Sequence, residues 1–103
     1  IFISVVTVSE MLHGLHRANT VILRERRSRF IDVLLDLMPI LPIDLEIARE
    51  HSRIWAFLSM QGNMIGMNDS WLAATCTANG LTIATSNIRE FERVPDLKVS
   101  RWP

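Results

Sequence analysis

The stretch GMNDSWLAATCTANGLTIATSNIREFERV, residues 66–94, decides how this chain is read. It spells helix, turn, strand and polar loop, in that order. Asn68 or Asp69 opens a run of helix formers and small residues, Trp71 to Ala78, and Gly80 stands where a left-handed C-terminal cap belongs. Leu81 to Ala84 is an apolar run too short for a helix, bounded by Gly80 and by the polar Thr85-Ser86-Asn87. A helix feeding a buried strand is half of a parallel α/β unit. Ligands in such sheets bind beyond the carboxyl ends of the strands, which is where Thr85 to Asn87 fall.

Working outward, Ile1 to Val6 is rich in β-branched residues and apolar on both faces, as an interior parallel strand requires. Thr7-Val8-Ser9-Glu10 follows in the capping-box spacing, which predicts Thr7 as N-cap, Glu10 at the third helical position and a helix to about Ala18. A second helical pattern covers Val21 to Met38, with Phe30, Val33, Leu34 and Leu37 at three- and four-residue spacings, and Pro39 ends it. Met38 to Ile43 carries two prolines and reads as a short edge strand. Asp44 caps a third helix, Leu45 to about Gln61, with Ile47, Ile54, Trp55 and Leu58 on one side, and Gly62-Asn63 closes it. Ile88 to Glu92 fits a single helical turn, and Leu97 to Trp102 alternates like a half-exposed final strand. Strands separated by helices predict a parallel α/β fold, and a length of 103 residues predicts one domain, 1–103.

The composition excludes several classes of function. Hydrophobic residues make up 49% and charged residues 21%, with formal net charge zero, so the chain is globular and no global charge draws it to nucleic acid. The single cysteine, Cys76, lies inside an apolar helix pattern as a small core residue, which rules out a disulfide framework and fits a reducing, cytoplasmic setting. No apolar run reaches the ~18 residues that span a bilayer. The absence of G-x-G-x-x-G and of a P-loop argues against nucleotide binding.

Three residues carry the candidate chemistry. Glu10 follows a buried strand in the first turn of the next helix, although a capping box by itself explains an acid there. Asp69 holds the equivalent place on its own helix, where the helix dipole alone accounts for ~0.3–1 kcal/mol. Asn87 is a loop amide just beyond a strand end, a position that turns also favour. Brought together at one sheet edge, two carboxylates and an amide oxygen form a hard donor set suited to Mg²⁺ or Mn²⁺ rather than zinc. His13 and His16 lack the further ligands of a zinc site. Arg24, Arg26, Arg27 and Arg29 form a basic cluster that either tracks an RNA backbone or is a solvated helix face. Trp55 and Phe57 are read as core or interface, and Trp102 as a cover for the sheet edge.

The order SEMLHG near a strand end, then NDSWLAAT, then TSNIREF ahead of a short final strand resembles the PIN-domain ribonucleases, and within them the VapC-like toxins of bacterial toxin–antitoxin pairs. The resemblance covers essentially the whole chain. It implies a three-layer fold with a parallel sheet flanked by helices, and Glu10 and Asp69 as metal ligands with Asn87 beside them. Thr85 matches a hydroxyl position bordering that site, with Ser86 and Arg89 as neighbouring contacts to substrate, and Gly14 matches the small residue one turn after Glu10. The resemblance also implies a first, central strand bearing an Asp ahead of the segment that begins at Ile1, and no Asp precedes Asp32 here. The expected domain is therefore N-terminally short.

The function so implied is cleavage of single-stranded RNA that depends on Mg²⁺ or Mn²⁺, with water activated by the ion attacking the phosphodiester. No Ser, Cys or His arrangement for covalent catalysis is visible. The implied partners are RNA, a cognate antitoxin and a second copy of the chain. The alternative is a catalytically impaired PIN domain that binds its antitoxin and dimerises without cutting.

Overall fold

The computed structural model of the protein describes residues 2–102. The elements run β1 (Ile3–Ser4), α1 (Val5–His16), α2 (Val21–Leu37), β2 (Ile40–Leu41), α3 (Leu45–Met60), α4 (Met67–Ala78), β3 (Thr82–Thr85), α5 (Ile88–Phe91) and β4 (Lys98–Arg101). They fall into two compact units, residues 1–42 and residues 43–103. All strand pairing is parallel: β1 with β2 in the first unit, β3 with β4 in the second. Parallel strands joined through helices are the α/β fold that the sequence predicts.

In the first unit the N-terminal strand is shorter than its β-branched run suggests. Ile3 pairs with Ile40 and Ser4 with Leu41, and there the strand ends. Ser4 is extended and its Oγ accepts a hydrogen bond from the Val6 N–H at 3.1 Å, so the helix starts at Val5. This corrects the predicted capping box: Thr7 and Glu10 both lie inside α1, and its first turn holds no acid. The part of the predicted strand at Ile1 lies outside the described residues. Helix α2 begins as expected, with Thr20 Oγ1 accepting from the Leu23 N–H. Two of the clustered arginines reach back to the end of α1, Arg27 to the Gly14 carbonyl at 2.5 Å and Arg24 to the Ala18 carbonyl at 3.1 Å. Cations at a helix C-terminus satisfy its exposed carbonyls and oppose its dipole, which explains half of the basic cluster.

The second unit holds the larger core. Helix α3 is capped by Asp44, whose Oδ1 accepts from the Ile47 N–H at 2.8 Å, as its sequence predicts. Its buried stripe is Ile47, His51, Ile54 and Leu58, at helical spacing. Trp55 and Phe57, read as core or interface from sequence, stay on the exposed side. The stripe packs with Ile65, Ala73, Ala74, Ile83, Phe91 and Val94 into one cluster. Ala73 and Ala74 are fully buried, so α4 presents a face of small side chains where α3 lies against it. Gly62 and Gly80 end α3 and α4 with φ of 63° and 65°, a conformation that costs other residues strain.

His51 is the one ionisable group in that stripe, at 4% exposure. Its ring stacks on Trp71, with centroids 3.7 Å apart and planes 6° from parallel, and meets Trp55 at a tilt. Its Nε2 lies 2.8 Å from Ser70 Oγ. The Ser70 hydroxyl proton is directed to the Met67 carbonyl at 2.7 Å, so Ser70 accepts and His51 carries its proton on Nε2. Burial lowers the His51 pKa from its ordinary 6.5, holding the ring neutral.

Two outcomes follow for stability. Leu58 is 0% exposed, and Leu58→Ala is expected to destabilise the fold by about 2–5 kcal/mol in urea unfolding, since the vacated volume cannot fully collapse. For His51 the unfolded state binds the extra proton first as pH falls. Its contribution is therefore intact above 6.5 and is lost as pH drops from there through the lowered folded-state value. The urea midpoint should decline across that window, and His51→Phe should flatten the decline. Parallel curves for the two proteins would show that another group governs the acid limb.

Candidate functional site

The site is built on the first turn of α4. Its N-cap is Gly66, extended at φ −58° and ψ 149°, with no side-chain cap bond. This corrects the reading of Asn68 or Asp69 as the cap: the helix begins two residues ahead of Asp69, which becomes its third residue. The bare cap is completed from elsewhere in the unit, because the Gly66 N–H donates to Glu90 Oε1 at 3.0 Å. Asp69 points back to the same place. A Cβ added at Gly66 would stand 3.6 Å from Asp69 Oδ2 and 3.9 Å from Glu90 Oε1. Both carboxylates thus border one small space beside Gly66, kept open by the missing side chain. The backbone of Gly66 is one that any residue adopts, so glycine matters here for space and not for conformation.

Glu90 is held in place by the loop after β3. Thr85 ends that strand, its carbonyl accepting from the Trp102 N–H and its Oγ1 from the Asn87 N–H, each at 2.9 Å. A threonine bonding two residues ahead shapes a tight turn. Asn87 then caps α5 by position but makes no side-chain cap bond. Its side chain instead donates to Glu90 Oε2. A carboxylate only accepts, so the amide nitrogen faces Glu90, and the amide oxygen is left without a partner among the described residues. Thr85, Asn87, Glu90 and Gly66 therefore form one chain of hydrogen bonds that ends next to Asp69.

Two acidic side chains share the positive end of a twelve-residue helix. The dipole favours their negative charge, while their mutual repulsion favours any cation that can sit between them. Oxygen donors from Asp69, Glu90 and Asn87 suit Mg²⁺ or Mn²⁺, ions that keep several of their own waters and need only one or two protein carboxylates. Such an ion would be held by the oxygens of Asp69 and Glu90 that face Gly66. Hard oxygen donors of this kind are the ligands that Mg²⁺ and Mn²⁺ prefer.

The other predicted residues divide between the units. Ser86 and Arg89 are exposed in the second, on the loop and on α5. Glu10 belongs to the first, exposed within α1 and making no hydrogen bond or ion pair with the described residues. Its backbone explanation has gone, since Ser4 is the cap. His13 and His16 are exposed in the last turn of α1. Within neither unit do three or more described His, Cys, Asp or Glu side chains gather into a group that could hold an ion. Two residues escaped the sequence reading. Glu90 stands three residues after Asn87, an acid in the first turn of α5. His51 stands four after Ile47 and three before Ile54, on the apolar stripe.

Parallel strands linked by helices, with an acidic pair at the mouth of a helix beside a strand end, describe a class of α/β domains with an acidic site. The chain itself can be placed more closely. The PIN domain family pattern matches residues 1–97. Ribonuclease VapC2 of Haemophilus influenzae is 35% identical over 100 residues, 97% of this chain and 74% of that protein. The tRNA(fMet)-specific endonuclease VapC of Salmonella typhimurium is 28% identical over the same coverage. Among solved structures, VapBC2 of Rickettsia felis bound to a promoter DNA fragment matches with a TM-score of 0.92 at 26% identity, over 100% of this chain and 75% of that one. VapBC-1 of nontypeable Haemophilus influenzae matches with a TM-score of 0.90. The chain belongs to the PIN-domain family, and its relatives are VapC ribonucleases.

The space beside Gly66 can be probed directly. Gly66→Ala meets only ordinary van der Waals contacts, and alanine is a poorer cap than glycine, so a stability loss of about 1 kcal/mol or less is expected. Mn²⁺ affinity should fall at least about tenfold, because a methyl group against Asp69 Oδ2 and Glu90 Oε1 crowds the side of both acids that faces Gly66. Unchanged affinity, measured by calorimetry, would place the ion elsewhere.

Proposed function

We propose that this chain is a divalent-metal-dependent endoribonuclease of the VapC toxin type. The observation that carries the reading is the pairing of Asp69 with Glu90 beside the bare Gly66 cap, in a chain of the PIN family. Bound there, Mg²⁺ or Mn²⁺ would supply the positive charge that polarises a phosphodiester and makes water a competent nucleophile. Asp69 and Glu90 hold and orient the ion, Asn87 fixes Glu90 and offers its amide oxygen, and Glu10, on α1, is a ligand by family resemblance alone. Thr85, Ser86 and Arg89 line the path of the RNA strand. The exposed Arg89 guanidinium is a phosphate contact on the loop that carries Asn87.

The same reading extends to partners. Relatives crystallise as VapBC complexes, which supports a cognate antitoxin for this chain. The large apolar side chains left exposed on α2 and α3, among them Phe30, Leu37, Trp55 and Met60, support contact with that antitoxin and with a second copy of the chain. No helix among the described residues is long and apolar enough to cross a membrane, which is compatible with a cytoplasmic enzyme.

The test is cleavage of single-stranded RNA by the chain with Mn²⁺ or Mg²⁺, set against Asp69→Asn and Glu90→Gln. Each variant keeps its shape and loses one charge, and each should cut at least about 100-fold more slowly. Equal rates for wild type and Asp69→Asn would remove Asp69 from the site. An inert wild type that still binds a VapB-type antitoxin would favour the binding-module alternative.

A further inference from the structure

The first turn of α4 has an unusual burden. It carries Asp69, its N-cap makes no side-chain bond, and the buried Ala73 and Ala74 that pack it into the core offer no directional contact. Side chains stand about 5 Å from a helix axis, so a rotation of about 20° would carry a carboxylate through nearly 2 Å, more than a metal or catalytic site tolerates. Glu90 bonds the cap backbone at Gly66, ahead of the turn. The contact that could set rotation must come from the helix's buried face.

That contact is Ser70, the neighbour of Asp69. Ser70 is 2% exposed, and its hydroxyl both donates to the Met67 carbonyl and accepts from His51 Nε2. Within the turn it closes Met67 onto Ser70, and across the helix interface it ties the turn to α3. The donor is itself immobilised, with the His51 ring stacked against Trp71 on α4 and its backbone embedded in the Ile47–Leu58 stripe. A purely apolar residue would fill the same volume without a directional bond. A buried imidazole with this one side-chain hydrogen bond is costly to keep for packing alone.

We propose that His51 is a positioning residue, which acts through Ser70 to set the rotation of α4 and thereby aim Asp69 at the space beside Gly66. The inference rests on the reading of Asp69 as a metal ligand. His51 touches neither the ion nor the substrate. Its effect should appear as metal affinity and turnover per folded molecule rather than as folding alone.

The experiment follows Mn²⁺ binding to the full chain through paramagnetic broadening of the Gly66 and Asp69 amide signals, alongside urea unfolding of each variant. Asp69→Asn is the control for the underlying reading. The double variant His51→Phe/Ser70→Ala removes both partners and leaves no unsatisfied group, so it should unfold cooperatively near the wild-type midpoint. Its apparent Mn²⁺ dissociation constant should rise about tenfold. Ser70→Ala, which removes only the acceptor, should show the same loss and decides the matter if the double variant does not fold. His51→Gln keeps an N–H donor at similar reach and should restore affinity to within about twofold of wild type. Wild-type affinity in Ser70→Ala, with loss in Asp69→Asn, would overturn the positioning role and leave the metal site standing. Equal loss in His51→Gln and in the double variant would overturn the hydrogen bond as its cause. Wild-type affinity in Asp69→Asn would overturn the underlying reading and this inference with it.

Discussion

The polar chemistry of the second unit depends on one steric constraint, the closeness with which α3 and α4 pack. Ala73 and Ala74 end at Cβ and are fully buried in the cluster that holds Ile47, Ile54 and Leu58, so the two helices can approach closely. Contact at that range excludes water from the interface. Exclusion of water in turn makes the His51–Ser70 hydrogen bond obligatory, since either group left alone would be desolvated without compensation. A larger residue at Ala73 would push α3 and α4 apart and move the face on which Ser70 is anchored.

A second constraint works at the solvent end of the same helix. A helix needs partners for its first N–H groups, and α4 begins on a glycine that offers none from its side chain. The partner comes from twenty-four residues downstream, as the carboxylate of Glu90. One group therefore joins the strand-end loop to the helix and brings a second negative charge beside Asp69. For stability alone a Ser or Asp at position 66 would serve better. Such a side chain would occupy the space between the two acids. The sequence departs here from the best local choice for the helix, and the cap is completed by a carboxylate brought from elsewhere in the unit.

What was legible in the sequence was what local rules decide. Asp44 caps α3, Gly80 closes α4 in the left-handed region and a short apolar run follows as β3, because each depends on residues within one turn. The N-terminus was misread because two caps compete there. Thr7 to Glu10 fits the capping box, but Ser4 also fits a cap, and the choice is settled by where β1 stops pairing with β2, some thirty-five residues away. The same holds at α4, where Asn68 has the better cap chemistry but Gly66 is tied by Glu90 from a distance. His51 was passed over because Trp55 looked like the heavier anchor. The stripe of α3 runs through 47, 51, 54 and 58, and Trp55 is 47% exposed beside it. Asp69 is legible because family motif and helix position agree on it, whereas the bond of Glu90 to Gly66 exists only when the loop and the cap meet.

The carboxylates of the two units stand on different physical footings. Asp69 and Glu90 have structural reasons to be where they are, a helix dipole to complement and a backbone N–H to accept, so their presence alone does not distinguish chemistry from folding. Glu10 has no such reason. With Ser4 as the cap of α1, Glu10 caps nothing, and among the described residues it pairs with nothing. An exposed acid in that position adds little to stability, and neutral substitutions there should leave the first unit's fold intact. A charge with no local use is stronger testimony for a role in binding than one that the backbone already explains. The revision of the N-terminal cap therefore takes a structural function away from Glu10.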